Sequence, residues 1–170
     1  KINTPLVEEY EKEIEGVEES LLAEVEQLTG TRDVRTKKFK EVFYSFYEHE
    51  PPRTEKGELA FDEDSLLGVF RTTRVPELKK LAVLRNSLAT LEKVKSSFVK
   101  PYLSLVNPAT GRIHPSYRIT GTETGRLSCS DPNFQQLPRK GVTLCSNCRV
   151  VPIDGICPIC GGSDFAEKFN

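Results

Sequence analysis

Four cysteines near the end of the chain, Cys145, Cys148, Cys157 and Cys160, form a C-x2-C-x8-C-x2-C pattern. Two thiolate pairs at this spacing can surround one metal ion tetrahedrally, each pair folding as a knuckle, and zinc is the ion expected. Asp154-Gly155, a pair favoured in tight turns, lies between Val150, Val151 and Ile153 on one side and Ile156 on the other, so a two-stranded ribbon is predicted. Gly161-Gly162 leaves room for backbone N–H groups to approach the last sulfur. A catalytic zinc needs an open coordination position, which four thiolates do not leave, so the metal is expected to be structural. Disulfides are the alternative use of the same residues. Residues 141–170 hold too few apolar side chains to fold by burial alone. Metal ligation is expected to supply the difference, and a chelator to unfold residues 141–165 only.

A second stretch offers different chemistry. Thr124-Gly125-Arg126-Leu127-Ser128-Cys129-Ser130-Asp131-Pro132-Asn133-Phe134-Gln135-Gln136-Leu137-Pro138 combines one arginine, several hydroxyls and carboxamides with no hydrophobic period. Such donors can reach acceptors in a nucleic-acid groove, here from a backbone stiffened by two prolines. Cys129 is the fifth cysteine and is expected to stay free. His114 has no companion histidine or nucleophile and reads as structural.

Charge is distributed to match. The net charge of −1 hides a split: residues 1–76 carry 11 Lys/Arg against 18 Asp/Glu, and residues 77–140 carry 11 against 4. A polyanion would meet the middle of the chain and avoid its beginning. No run of about 18 apolar residues is present to span a membrane, and no signal peptide is visible. The chain opens Lys1-Ile2-Asn3-Thr4 and contains no methionine, so a fragment of a longer protein is expected.

The elements that position these groups are mostly helical. Thr4 is expected to cap a first helix with Pro5 at its first position, and Leu6, Tyr10, Ile14, Val17, Leu21, Val25 and Leu28 form one apolar stripe ending at Gly30. The nine glutamates between Glu8 and Glu26 read as its solvated face. A second helix is predicted to begin after Thr36 and run to about Glu48, burying Phe39, Val42, Phe43, Phe46 and Tyr47. Residues 51–61 read as a polar excursion. A short helix after Asp62 or Asp64 is expected to bury Leu66, Leu67 and Phe70. Pro76 then opens a long helix with Leu78, Leu81, Leu84, Leu88, Leu91, Val94 and Phe98 at helical spacing, ending near Lys100-Pro101. Asn107–Gly111 is a turn, and residues 112–124 alternate as short strands would. The fold class is α+β.

The run from Thr124 to Pro138 closely resembles the T-G-R-L-S-S-x-x-P-N-L-Q-N-I-P signature of family A DNA polymerases, the bacterial polymerase I type. Lys93-Val94-Lys95-Ser96-Ser97-Phe98 resembles the K-L-K-S-T-Y run near the end of that family's long thumb helix. Asn107-Pro108-Ala109-Thr110-Gly111-Arg112-Ile113-His114 resembles the N-P-x-T-G-R-I-H turn after it, and Thr120, Thr122 and Thr124 stand where the family has T-x-T-x-T. The resemblance covers roughly residues 1–140. It implies a helical thumb subdomain over 1–104 and thumb-to-palm strands with the signature over 105–140; the cysteine ribbon over 141–170 then reads as a zinc-ribbon insertion. Cys129, Phe134, Gln136 and Pro115 depart from the pattern, and Ala89 stands where many relatives carry a helix arginine.

By the same resemblance, Arg126 contacts the minor-groove edge near a primer terminus, where every correct base pair offers an acceptor. Asn133 and Gln135 touch sugars and groove edges, Lys93, Lys95 and Ser96 hold backbone phosphates, and Thr124 joins the DNA-binding set. The partner implied is a primer–template DNA duplex, with dNTP as substrate of the complete enzyme. The parent would be a DNA-directed DNA polymerase of a bacterial or phage-infected cytoplasm, a divergent one, with a viral source among the options. Phosphoryl transfer in this family uses two magnesium ions held by aspartates. Nothing here resembles their D-Y-S-x-x-E strand, so no catalytic residue is expected in this chain. Two other readings stay open: a non-catalytic DNA-binding protein with a zinc ribbon, and a ribbon that binds an unknown protein partner.

Overall fold

Pro5 sits in the first turn of α1 (Thr4–Thr29), where its missing N–H deprives the helix of no bond. The cap is Asn3 rather than Thr4, and it makes no side-chain cap bond; Thr4 is already helical. At the other end the Gly30 N–H bonds to the Glu26 carbonyl. Ile14, Val17, Leu21 and Val25 are buried, while Leu6 at the start of the stripe is 37% exposed. The computed structural model describes residues 2–137 and 141–168; Pro138 at the end of the signature and the Arg139-Lys140 pair after it lie outside the described residues.

Thr36 caps α2 (Lys37–Ser45) by accepting the Phe39 N–H. The helix stops about three residues before the predicted end, and the reason is local. Phe46 turns out of the ladder, so its ring swings off the inner face and is 51% exposed. Tyr44 is buried in its place, its hydroxyl donating to the Ala60 carbonyl at 2.5 Å. Phe39, Phe43 and Tyr44 close around Phe61, which meets Phe43 edge-on at 5.0 Å. Each such pair is worth about 0.5–1.5 kcal/mol beyond its burial.

Asp62 caps α3 (Glu63–Thr72) by accepting the Ser65 N–H. Its buried residues are Leu66 and Val69; Leu67 and Phe70, expected inside, are half-buried. Between α3 and the next helix, the Glu48 carboxylate accepts from the Thr73 hydroxyl and the Arg74 N–H. These two bonds hold its pKa below the usual carboxylate range.

Helix α4 (Pro76–Val94) is the axis of the molecule and packs on both α1 and α3. It buries the predicted leucines and also Ala82, Val83, Asn86 and Ser87 on a second face. The helix does not stop at Lys100-Pro101. Lys95–Val99 forms a π-helical turn, in which the Lys100 N–H reaches back to the Lys95 carbonyl, and α5 (Lys100–Leu105) follows. Proline has no N–H and its ring crowds the preceding turn, so a widened turn lets the chain pass Pro101 without breaking.

Two small antiparallel sheets complete the α+β fold. Strand β1 (Ser116–Arg118) pairs with β2 (Ser128–Ser130), with Tyr117 opposite Cys129. Strand β3 (Val142–Cys145) pairs with β4 (Phe165–Lys168), with Cys145 opposite Phe165. The predicted ribbon inside the cysteine pairs reduces to one bridge, Ile153 to Ile156, around Asp154-Gly155; the ladder lies outside them.

Candidate functional site

The loop before β2 is tied down from within. Thr122 Oγ1 donates to the Arg126 carbonyl at 2.9 Å, and the Gly125 N–H donates to the Thr122 carbonyl at 3.1 Å. Gly125 has φ of 70°, so the residue before the arginine must tolerate the left-handed region. Thr124 Oγ1 lies 3.4 Å from Thr122 Oγ1. The Arg126 backbone is thus held while its side chain stands exposed, with no bond or ion pair among the described residues.

On the far side of β2, Asn133 caps a 3-10 turn (Phe134–Gln136) by accepting the Gln135 N–H at 3.0 Å. Gln135 Nε2 donates to the Leu127 carbonyl at 2.8 Å, which straps this turn against the arginine loop. Phe134 meets Tyr102 of α5 at 5.6 Å between ring centroids, so the turn is also fixed to the helical part. Cys129 is buried and free, its thiol directed at the Pro132 carbonyl. Asn107 closes the preceding turn by accepting the Ala109 and Thr110 N–H groups. His114 Nε2 lies 3.3 Å from the Thr110 hydroxyl.

The three residues expected at phosphates separate. Lys93 and Ser96 are exposed on α4 and the π turn. Lys95 is committed elsewhere: its side chain is 15% exposed and its ammonium sits 3.0 Å from both Glu15 and Glu18 of α1. Burial opposes the charge, but the bonds to Glu18 and Glu15 outweigh it and hold the Lys95 pKa above the usual lysine value. Lys95 therefore fastens the π turn to α1 and, as it stands, is not free to meet a phosphate.

The four ribbon cysteines converge, with all four sulfurs within 4.8 Å of one another. Two knuckles related in detail bring them there. Arg149 N–H bonds to the Cys145 carbonyl and Cys145 N–H to the Val150 carbonyl; Gly161 N–H bonds to the Cys157 carbonyl and Cys157 N–H to the Gly162 carbonyl. Both turn residues take positive φ, 57° at Arg149 and 71° at Gly161. The Cys148 and Asn147 N–H groups face Cys145 and bring its thiol down to about 7. The set can hold one metal ion.

The ribbon also docks, which its sequence did not suggest. Leu144, Cys145, Val150 and Cys157 belong to the same buried cluster as the leucines of α4, and Val150 is fully buried. The Val151 N–H donates to Ser87 Oγ at 3.0 Å, and Lys168 pairs with Glu13 at 2.7 Å. The small residues Ala82, Val83 and Ser87 on the second face of α4 are the signal that could have found this, since they leave room for a neighbour to pack there.

The model of DNA polymerase family A matches residues 4–151, which carries the match past residue 140 and through the first cysteine pair. The thermostable DNA polymerase I of Thermus filiformis is 32% identical over 151 residues, covering 81% of this chain and 16% of that protein. The DNA polymerase I of Chloroflexus aurantiacus is 45% identical over 65 residues, 36% of this chain and 7% of the relative. Among solved structures, the POL domain of Pol1 from M. smegmatis, in complex with DNA primer-template and dNTP, superposes with a TM-score of 0.62 at 23% identity, over 81% of this chain and 24% of that one. The chain thus spans less than a fifth of the length of these curated relatives. No helix among the described residues is long and apolar enough to cross a membrane. With the family model matching most of its length, the chain belongs to DNA polymerase family A.

Proposed function

We propose that this chain is the duplex-gripping part of a template-directed DNA polymerase, acting in the cytoplasm of a bacterial or phage-infected cell. Residues 1–104 serve as the thumb, 105–140 lead into the palm, and 141–170 form a ribbon laid against the thumb. The observation that carries the reading is Arg126, whose backbone is bonded on a family-matched loop while its guanidinium reaches into solvent. A forked donor in that position can span the minor-groove acceptors common to all correct pairs. The remaining Asn133 and Gln135 donors flank it, after their structural bonds are counted, and Thr124 shapes the loop between them. Lys93 and Ser96 would take backbone phosphates, with Lys95 positioning the turn that carries them. The M. smegmatis neighbour, bound to primer-template and dNTP, supports a DNA partner.

The metal we propose for the ribbon is zinc. A tetrahedron of sulfurs 2.3 Å from zinc has edges of about 3.8 Å, and Cys145 Sγ lies 3.8 Å from Cys160 Sγ. A disulfide would need about 2.05 Å. With all four positions taken by sulfur, the ion is structural. Nucleotide addition itself would draw on carboxylates and magnesium that this chain does not supply, so the chain should bind duplex without extending it. The ribbon-only reading is not favoured, because the ribbon is part of the helical core.

The test is fluorescence anisotropy of a labelled primer–template duplex. Arg126→Ala should cost about 1–3 kcal/mol, or about 5- to 150-fold in Kd. Unchanged affinity, with the fold intact by circular dichroism, would place Arg126 away from the groove and sink the reading.

A further inference from the structure

Arg85 projects from α4 over the Phe61 ring, its guanidinium carbon 5.6 Å from the centroid. Its Nε and Nη1 are buried and have no hydrogen-bond partner, and no described carboxylate forms an ion pair with it. Arginine stays charged in proteins, so it cannot relieve this by losing a proton. A buried cation with orphan donors is costly, and the ring face below offsets only part of that cost. An anion in reach of the fork would satisfy both donors and the charge at once.

The surroundings say where the anion would lie. Arg85 lines a cleft of about 380 Å³ together with Arg35, Lys40, Thr54, Glu58 and Asp62. Lys40 lies over the same Phe61 ring at 5.7 Å, so two cations flank one aromatic wall. The carboxylates are placed elsewhere: both Asp62 oxygens are occupied by Ser65, and Glu58 lines the cleft without reaching Arg85. A second cleft of about 590 Å³ continues from it past Arg35 and Lys40 to Arg53. Glu41 and Glu58 share its wall, and Arg35 is paired with Glu92, so Lys40 is the cation near Arg85 without a described ion pair.

We infer that this cleft binds a phosphate-class oxyanion, with Arg85 as the forked donor and Lys40 as the neighbouring charge. A tetrahedral oxyanion presents enough acceptors for the Arg85 fork, the Lys40 ammonium and the Thr54 hydroxyl together. Its source is either a nucleic-acid backbone or a free phosphate. The backbone source rests on the duplex-gripping reading above; the free source does not.

Two titrations on the full chain separate the sources. Orthophosphate at tenfold excess over its Kd should raise the thermal midpoint of the wild type by about 3–6 °C, and Arg85→Met should abolish that rise if the source is free phosphate. If the source is the backbone, Arg85→Met should lower the slope of log affinity against log salt for a duplex by about 0.9, the value of one phosphate contact. Lys40→Gln, on the cleft rim, tests the same site should Arg85→Met fold poorly, and is expected to move the same readout in the same direction. The inference is overturned if neither variant changes either titration. It is also overturned if Arg85→Met and Glu58→Gln are strongly non-additive in stability without phosphate, because Glu58 would then be the missing partner. A wild type that binds no duplex at all would refute the function proposed above while leaving the orthophosphate arm to decide this one.

Discussion

Val150→Ala tests whether the cysteine ribbon is a separate appendage or a wall of the helical body. Val150 is fully buried in the cluster that contains Leu84, Leu88 and Leu91 of α4. Truncation removes two methyl-sized groups, about 1.6 kcal/mol of transfer free energy, and the cavity left behind adds about 1 more. A cost of about 2–3 kcal/mol should lower the midpoint of a chain this size by roughly 5–10 °C. The knuckle itself survives, since Val150 holds Cys145 through its backbone carbonyl. The assay is thermal unfolding of the metal-loaded chain followed by helical ellipticity, which reports α1 to α5 and not the ribbon. Ile156→Ala, at a site 53% exposed, is the control and should change stability by less than about 0.5 kcal/mol. A helical transition unmoved by Val150→Ala would refute the docking. The same geometry revises the expectation that a chelator unfolds residues 141–165 alone: removing the metal should lower the helical midpoint as well, because the ribbon that melts covers Ser87 and its neighbours.

Three further outcomes are expected. Lys93→Ala should flatten the log-affinity against log-salt slope for a duplex by about one unit, whereas Lys95→Ala should leave the slope unchanged and reduce stability, since Glu15 and Glu18 lose their partner; equal slopes changes in both would contradict the separation of their roles. Glu48, bonded by Thr73 and Arg74, has a depressed pKa, so its contribution is present above the usual carboxylate range and lost as pH falls through the lowered value. Glu48→Gln should accordingly flatten the acid side of the stability curve, read as urea midpoints from neutral pH downward. Chelation of the purified chain should release about one zinc, by metal analysis, and none from a Cys145→Ser, Cys148→Ser variant.

Much of this was legible in local pattern. The stripe of α1, the Thr36 and Asp62 caps, the proline at the start of α4 and the cysteine spacing each depend on residues within one or two turns of each other. Local interactions decide them, and those are what a single sequence carries. The family signature placed Arg126, Asn133 and Gln135 on one loop system. It did not show that Asn133 and Gln135 also build that system, one as a cap and one as a strap to Leu127. The failures share one cause. Lys95 reads as a free cation until α1 brings Glu15 and Glu18 to it, and Phe46 reads as core until the helix ends one residue before it. Arg85 likewise gives no sign of its isolation, because that depends on Phe61 arriving from the excursion before α3.

The ribbon shows why correct spacing can still mislead about topology. Eight residues separate Cys148 from Cys157, but Arg149 and Val150 are used in closing the first knuckle. Only residues 151–156 remain, and Asp154-Gly155 must turn within them, both at positive φ. That leaves length for one bridge, between Ile153 and Ile156. A ladder long enough to stabilise the module has to form outside the cysteines, between Val142–Cys145 and Phe165–Lys168. Placed there, it brings Lys168 to Glu13 of α1, while Val151 reaches Ser87 of α4. Exposed ion pairs of this kind contribute little by themselves, so the buried face of Leu144 and Val150 carries the attachment. The metal and the helical core therefore stabilise each other.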